Sequence, residues 1–142
     1  MQLIKSFKAL RPKKGKENDV IAPPYDVLSS AEAREMVKNK PFSFLHVSKP
    51  EIDLDHKIEF NNPKVYEKGA ENLNNLIKNK VLIQDDEDCL YIYEIILNEI
   101  AQTGIGCIAS VEAYQKNIIK KHEYTKPVKE DDRVENITKL KA

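Results

Sequence analysis

An α+β fold with a mixed, mainly antiparallel sheet is what this 142-residue chain predicts, and three observations carry that reading. Cys89–Leu97 and Thr103–Val111 are β-prone runs joined by a short polar connection, the pattern of a hairpin. Val65, Tyr66, Ala70, Leu73, Leu76 and Ile77 recur at helical spacing after Asn62-Pro63, the pattern of an amphipathic covering helix. The first hairpin strand is apolar on both faces, so it is expected at the middle of a sheet covered by helices. With 41% apolar residues, the chain can bury one sizeable core, and residues 1–142 are expected to form a single domain.

Taken in order, Leu3–Leu10 alternates enough apolar side chains for a first strand, closed by Arg11-Pro12 because proline cannot continue a ladder. Lys13, Lys14 and Lys16 around Gly15 form a solvated turn. Asp19–Ala22 is a short extended piece leading to Pro23-Pro24, whose rings fix two φ angles and so aim Tyr25 and Asp26. Two readings of that pair stand side by side: a preorganised ligand contact, or a rigid turn in which the phenol covers the core and the carboxylate caps nearby amides.

Ser29 and Glu32 have the spacing of a capping box, which predicts a helix from Ser30 to about Asn39, stopped by Pro41. Phe42–Val47 is apolar and β-prone and predicts a strand with His46 near its end. Lys49–Asn62 has no apolar period and is expected to be a mobile connection without chemistry. Lys78-Asn79-Lys80 supplies cations and an asparagine that tolerates positive φ at the end of the long helix. Gly104-Ile105-Gly106 is better explained by close packing beneath Tyr91 or Tyr93 than as a phosphate loop, since no helix follows at once.

The segment from Lys120 to Arg133 is dense in charges of both signs around one proline. From Pro127 to Ala142 there is no glycine or further proline, which predicts a helix beginning near Lys126 with Thr125 as its expected cap. At about 100° per residue, Val134, Ile137 and Leu140 make an apolar stripe. Glu130 and Arg133 fall within or beside it, while Asp132 points to solvent. An inward carboxylate and guanidinium three positions apart need each other or a ligand. The alternative is a surface helix start laced with weak ion pairs. The last helix shows no glycine or proline stop, as expected of a piece of a longer protein.

The chain carries 23 basic and 23 acidic residues and no net charge, so no global field favours nucleic acid or an anionic membrane. No apolar run approaches the length of a signal peptide core or a membrane span. Isolated Cys89 and Cys107 fit a reducing, cytoplasmic compartment. With His46 and His122 they match no zinc spacing.

Four ordered motifs carry a resemblance: Ser6–Pro12, Ala22–Val27, Phe42–Val47 and Lys120–Arg133. Together they resemble the N-terminal part of the family called domain of unknown function 1015, over nearly the whole chain. The resemblance implies a longer protein with a later Asp-Gly-His-His-Arg element that this sequence lacks. That element is similar to one in free-serine kinases of the ParB and sulfiredoxin-like fold, which implies an ATP-dependent phosphotransferase acting on a small hydroxy amino acid, with ATP and Mg²⁺ as cofactors.

Phosphoryl transfer chiefly needs positioning and cations around the transferred group. On that expectation Lys121, His122, Lys129 and Arg133 contact phosphate, and Glu123 or Glu130 takes the hydroxyl proton. Tyr25, Asp26 and His46 help to hold the cofactor, and Asp131 or Asp132 offers oxygen ligands to Mg²⁺. The competing expectation is a non-catalytic module that binds a small anion or a partner protein.

Overall fold

The computed structural model of the chain describes residues 2–120 and 124–141. In order, the elements are strands β1 (Ile4–Lys5) and β2 (Leu10–Pro12), helix α1 (Glu17–Val20), a 3₁₀ turn Tyr25–Val27, and helices α2 (Ser30–Val37) and α3 (Leu45–Ser48). A second 3₁₀ turn, Pro50–Asp53, leads to helix α4 (Pro63–Lys78) and strands β3 (Leu82–Gln84), β4 (Tyr91–Leu97), β5 (Ile100–Gly106) and β6 (Ile108–Ala109). Helices α5 (Val111–Gln115) and α6 (Pro127–Leu140) follow. The class is α+β, as the sequence predicts, and β1–β6 and β4–β5 are antiparallel pairs.

These elements divide into two compact units, one formed by the stretch up to Arg11 with Gln84–Tyr124, the other by Pro12–Ile83 with the stretch from Thr125 onward. In the first unit, β4 and β5 pair from Tyr91–Gly106 to Leu97–Ile100. Asn98 and Glu99, both at positive φ, make the two-residue turn whose twist matches the strands. Gly106 lies opposite Tyr91 and Gly104 opposite Tyr93, but an added Cβ would meet only ordinary contacts, 3.4 Å to Tyr91 Cβ and 3.9 Å to the Tyr93 carbonyl, so close packing does not demand glycine at either position. Tyr91 knits this unit together: its hydroxyl accepts from the Ala9 N–H at 2.8 Å and lies 2.7 Å from the Asp85 carboxylate, which also holds Arg11 through Nε and Nη2. The expectation of a strand buried on both faces is not met. Ile92 is 83% exposed, and Ile95, Ile96, Leu97 and Ile100 are exposed as well.

The second unit holds nearly all the buried apolar side chains. Val20, Val47, Leu73, Leu76, Val81 and Leu82 form one cluster, and Ala33, Leu45 and Ile52 another. Helix α4 forms as its spacing predicts, with Asn62 Oδ1 accepting from the Lys64 N–H and Pro63 at the first position. Helix α2 carries the complete capping box between Ser29 and Glu32.

Four predicted segments differ. Leu3–Leu10 is not one strand, since β1 ends at Lys5 and β2 takes in Pro12, and Asp19 and Val20 belong to α1 rather than to an extended piece. Phe42–Val47 contributes to a helix rather than a strand: Leu45 and Val47 are fully buried in α3, and a short apolar run fits either state until its neighbours are known. The stretch after Lys49 is no featureless connection either, because Pro50, Glu51 and Ile52 are buried in the second 3₁₀ turn. Pro50 approaches α4 at Gly69, where a Cβ would lie 2.8 Å from Pro50 Cγ.

Candidate functional site

Helix α6 starts at Pro127, one residue after the expected Lys126, which is itself the cap and makes no side-chain bond to the helix. Thr125 instead donates from Oγ1 to Glu130 Oε2 at 2.9 Å, and Glu130 is exposed, which corrects the expectation that it faces inward. The apolar stripe is corrected too. Val134 and Ile137 are 56% and 53% exposed, while Asp132, Arg133, Asn136 and Leu140 form the covered face. Helix α4 is the reason: its buried Tyr66 donates from its hydroxyl to Asp132 Oδ1 at 3.0 Å, which turns Asp132 inward. Asp132 Oδ2 in turn accepts from Arg133 Nε at 3.0 Å.

A cavity of about 560 Å³ opens over this face, within the second unit. Tyr25 and Asp26 come to it from the first 3₁₀ turn, Ser29 and Ser30 from the start of α2, and Ser48, Lys49, Pro50 and Glu51 from the end of α3 and the second turn. Val65 and Tyr66 of α4, and Lys126, Lys129, Asp132, Arg133 and Asn136 of α6 and its cap, complete the wall with Phe60. Cavities of this size with apolar walls and a few converging polar groups are the usual form of small-molecule sites.

Its electrostatics are specific. The Arg133 guanidinium lies 3.9 Å from the centre of the Tyr25 ring, a cation stacked on a π face. Lys49 Nζ is 3.0 Å from Glu51 Oε1, which also accepts from Ser30 Oγ at 2.9 Å. Burial, and after it the bond to Asp132, pushes the Tyr66 phenol up to about 12, so it remains a donor across the physiological range. With Lys49 held by Glu51 and Arg133 by Asp132, the lining cations without an ion pair among the described residues are Lys126 and Lys129. Both stand at the N-terminal end of α6, where the helix dipole adds positive potential. Asn136 is 5% exposed, and its Nδ2 has no hydrogen-bond partner among the described residues, a costly state for a buried amide.

The structure therefore brings Tyr25, Asp26, Lys129, Asp132 and Arg133 together. It leaves Glu130 outside the cavity lining and Asp131 in an adjoining hollow that shares Phe60, Tyr66 and Asp132 with the cavity. His46 does not belong with Tyr25 and Asp26, as had been expected for a shared cofactor site. It lines another hollow with Asp53, Lys68 and Asn72. Lys121, His122 and Glu123 lie outside the described residues. Among the described residues no three His, Cys, Asp or Glu side chains gather as a metal needs. The expected Mg²⁺ ligand Asp132 already engages Tyr66 and Arg133, so this pair of aspartates makes a poor seat for the ion.

Sequence reasoning missed Lys49, Glu51, Tyr66 and Asn136. Tyr66 was assigned to the apolar stripe of α4, and nothing local marks its hydroxyl as a partner for a carboxylate 66 positions away.

The family model for the protein of unknown function DUF1015 matches residues 4–142. The chain belongs to this family. All four motifs of the resemblance fall inside the matched residues. No curated protein and no solved structure matched the chain. No helix among the described residues is long and apolar enough to cross a membrane.

Proposed function

We propose that this DUF1015 chain binds a small molecule carrying an anionic group, phosphate or carboxylate, in the cavity between the Tyr25 turn, the Ser48–Glu51 segment and α6. The observation that carries the reading is the pair Lys126 and Lys129, which have no counter-ion among the described residues at the start of a 14-residue helix that caps without a side chain. The unpartnered Asn136 amide in the same wall supports it, because a buried polar group short of a partner marks a place where a ligand or water belongs. Tyr25, Phe60 and Val65 offer surface to the ligand's apolar part.

Titration with sulfate and phosphate, followed by backbone NMR, is expected to shift signals of the first turn of α6. Replacing both Lys126 and Lys129 by Ala is expected to weaken binding about tenfold or more, the scale of one charge-assisted hydrogen bond. Binding of equal strength in the double variant would overturn the reading.

Phosphoryl transfer to a small hydroxy amino acid is the narrower form of the same proposal, supported by the family resemblance alone. It adds ATP and Mg²⁺, with Lys121 and His122 on phosphate and Glu123 as the proton acceptor. A thermal-shift screen of nucleotides, Mg²⁺ and free amino acids on this chain and on a longer family member tests it, since a ligand that binds the native state raises its apparent stability. Stabilisation by ATP in the longer protein alone would place part of the site outside this sequence. No response in either would end the phosphotransferase reading.

A further inference from the structure

We propose that His46, Asp53 and Asn72 position the wall of the cavity, bracing the segment Ser48–Glu51 while His46 carries a proton on both ring nitrogens. The role concerns the site proposed above and rests on that reading for its ligand, but the brace itself is a property of the unliganded chain.

The geometry is a two-ended tie. His46 Nδ1 lies 2.8 and 3.0 Å from the two carboxylate oxygens of Asp53, and Nε2 lies 3.2 Å from the Lys40 carbonyl. A neutral imidazole has one N–H, and two acceptors at its two nitrogens need two. From α4, the single amide nitrogen of Asn72 donates to the His46 carbonyl and to Asp53 Oδ2, both at 2.7 Å. One side chain thus fastens both ends of the stretch from 46 to 53.

Between those fastenings, Ser48, Lys49, Pro50 and Glu51 line the cavity. The Ser48 carbonyl faces Arg133 Nη1 at 3.5 Å, beneath the guanidinium stacked on Tyr25. The packing is tight, since the missing Cβ of Gly69 would meet Pro50 Cγ at 2.8 Å and the Val47 carbonyl at 3.3 Å. Small displacements at His46 are therefore transmitted rather than absorbed.

The charged groups facing the ring are Asp53 and, on α4, Lys68, whose ammonium is 3.1 Å from Glu71 Oε2. The hydrogen bond that the ring donates to Asp53 is the main cause that holds the imidazole above its ordinary value of 6.5, against burial and the Lys68 charge. Losing the proton on the alkaline side of that value removes one of the two ring bonds. On the far side, Arg34 of α2 donates to the carbonyls of Glu51, Ile52 and Leu54. Those bonds do not titrate with His46, so the slackening belongs to the Ser48–Lys49 end.

The test needs no ligand. In ¹H–¹⁵N NMR of the chain between about pH 5 and pH 9, the window that spans histidine titration, the Ser48 and Lys49 amides and the Arg133 Nε–H are expected to shift with the His46 midpoint. In His46→Gln they are expected to stay flat. If that variant fails to fold, Asp53→Asn serves: it lowers the His46 midpoint, and the three signals must move with it. Signals that stay flat while His46 titrates would overturn the positioning role.

Sulfate, a dianion throughout that range, supplies the second readout. Its affinity is expected to fall roughly three- to tenfold above the His46 midpoint in the parent chain, the scale of one lost hydrogen bond, and to be pH-independent in His46→Gln. Absence of sulfate binding at any pH would remove the anion reading and leave the brace standing on the NMR result. Sulfate binding with one affinity across the range, with flat amide signals, would remove the brace and leave the anion reading.

Discussion

At the scale of single residues, the chain's titration behaviour follows from two neighbours on one tie. Asp53 holds His46 above its ordinary 6.5. Burial pushes the Asp53 carboxyl upward, and the bonds and charge of His46 with the Asn72 amide outweigh it, so that it lies below 3.8. The signs are opposite. A raised histidine contributes stability that is full below 6.5 and is lost as pH rises through its folded value. A depressed aspartate contributes stability present above 3.8 and lost as pH falls through its folded value. Denaturant unfolding is therefore expected to give this pair's largest contribution between those two values, and His46→Gln should flatten the decline on the alkaline side. A decline of unchanged slope in that variant would assign it to other groups. None of this is legible locally, because His46 and Asp53 lie 7 positions apart and Asp53 and Asn72 lie 19 apart, on three different elements. The same holds for α6, where Asp132 was expected in solvent and Glu130 inside. Asp132 turns to the covered face because its two oxygens find donors there, the Tyr66 hydroxyl of another helix and the Arg133 guanidinium.

At the scale of elements, agreement between sequence and structure tracks how local the deciding interaction is. The capping box of α2 and the Asn62-Pro63 start of α4 are settled within three or four residues and appear as predicted, while α6 starts one residue late and without the Thr125 cap. The strand expected over Phe42–Val47 instead meets the helical segment α3, because its apolar side chains find partners on α4 and the second 3₁₀ turn. Gly69 shows how packing reverses a propensity. Alanine favours a helix interior over glycine by about 1 kcal/mol, yet here its Cβ would lie 2.8 Å from Pro50 Cγ and 3.3 Å from the Val47 carbonyl. Gly69→Ala is expected to destabilise the chain by about 1–3 kcal/mol in denaturant unfolding. A gain in stability would show that the Pro50 segment yields freely, which would also weaken the case for a stiff cavity wall.

At the scale of the whole molecule, burial is uneven between the two units. Both apolar clusters lie in the unit formed by Pro12–Ile83 and the stretch from Thr125, while the other unit exposes the apolar side chains of β4 and β5. Hydrogen exchange is expected to be at least about tenfold slower for the amides of α4 than for those of the β4–β5 ladder, since protection follows buried contacts. Equal protection would mean that the hairpin is covered in solution. By itself the sequence determined the α+β class, the long helix α4, the hairpin and the helix starts, because spacing, caps and prolines act over a few residues. Only the tertiary structure decided which face of α6 turns inward, where His46 is tied and that a cavity exists. Those depend on partners such as Tyr66 and Asp132, or Ser48 and Arg133, which stand 66 and 85 positions apart and meet only once the helices have packed.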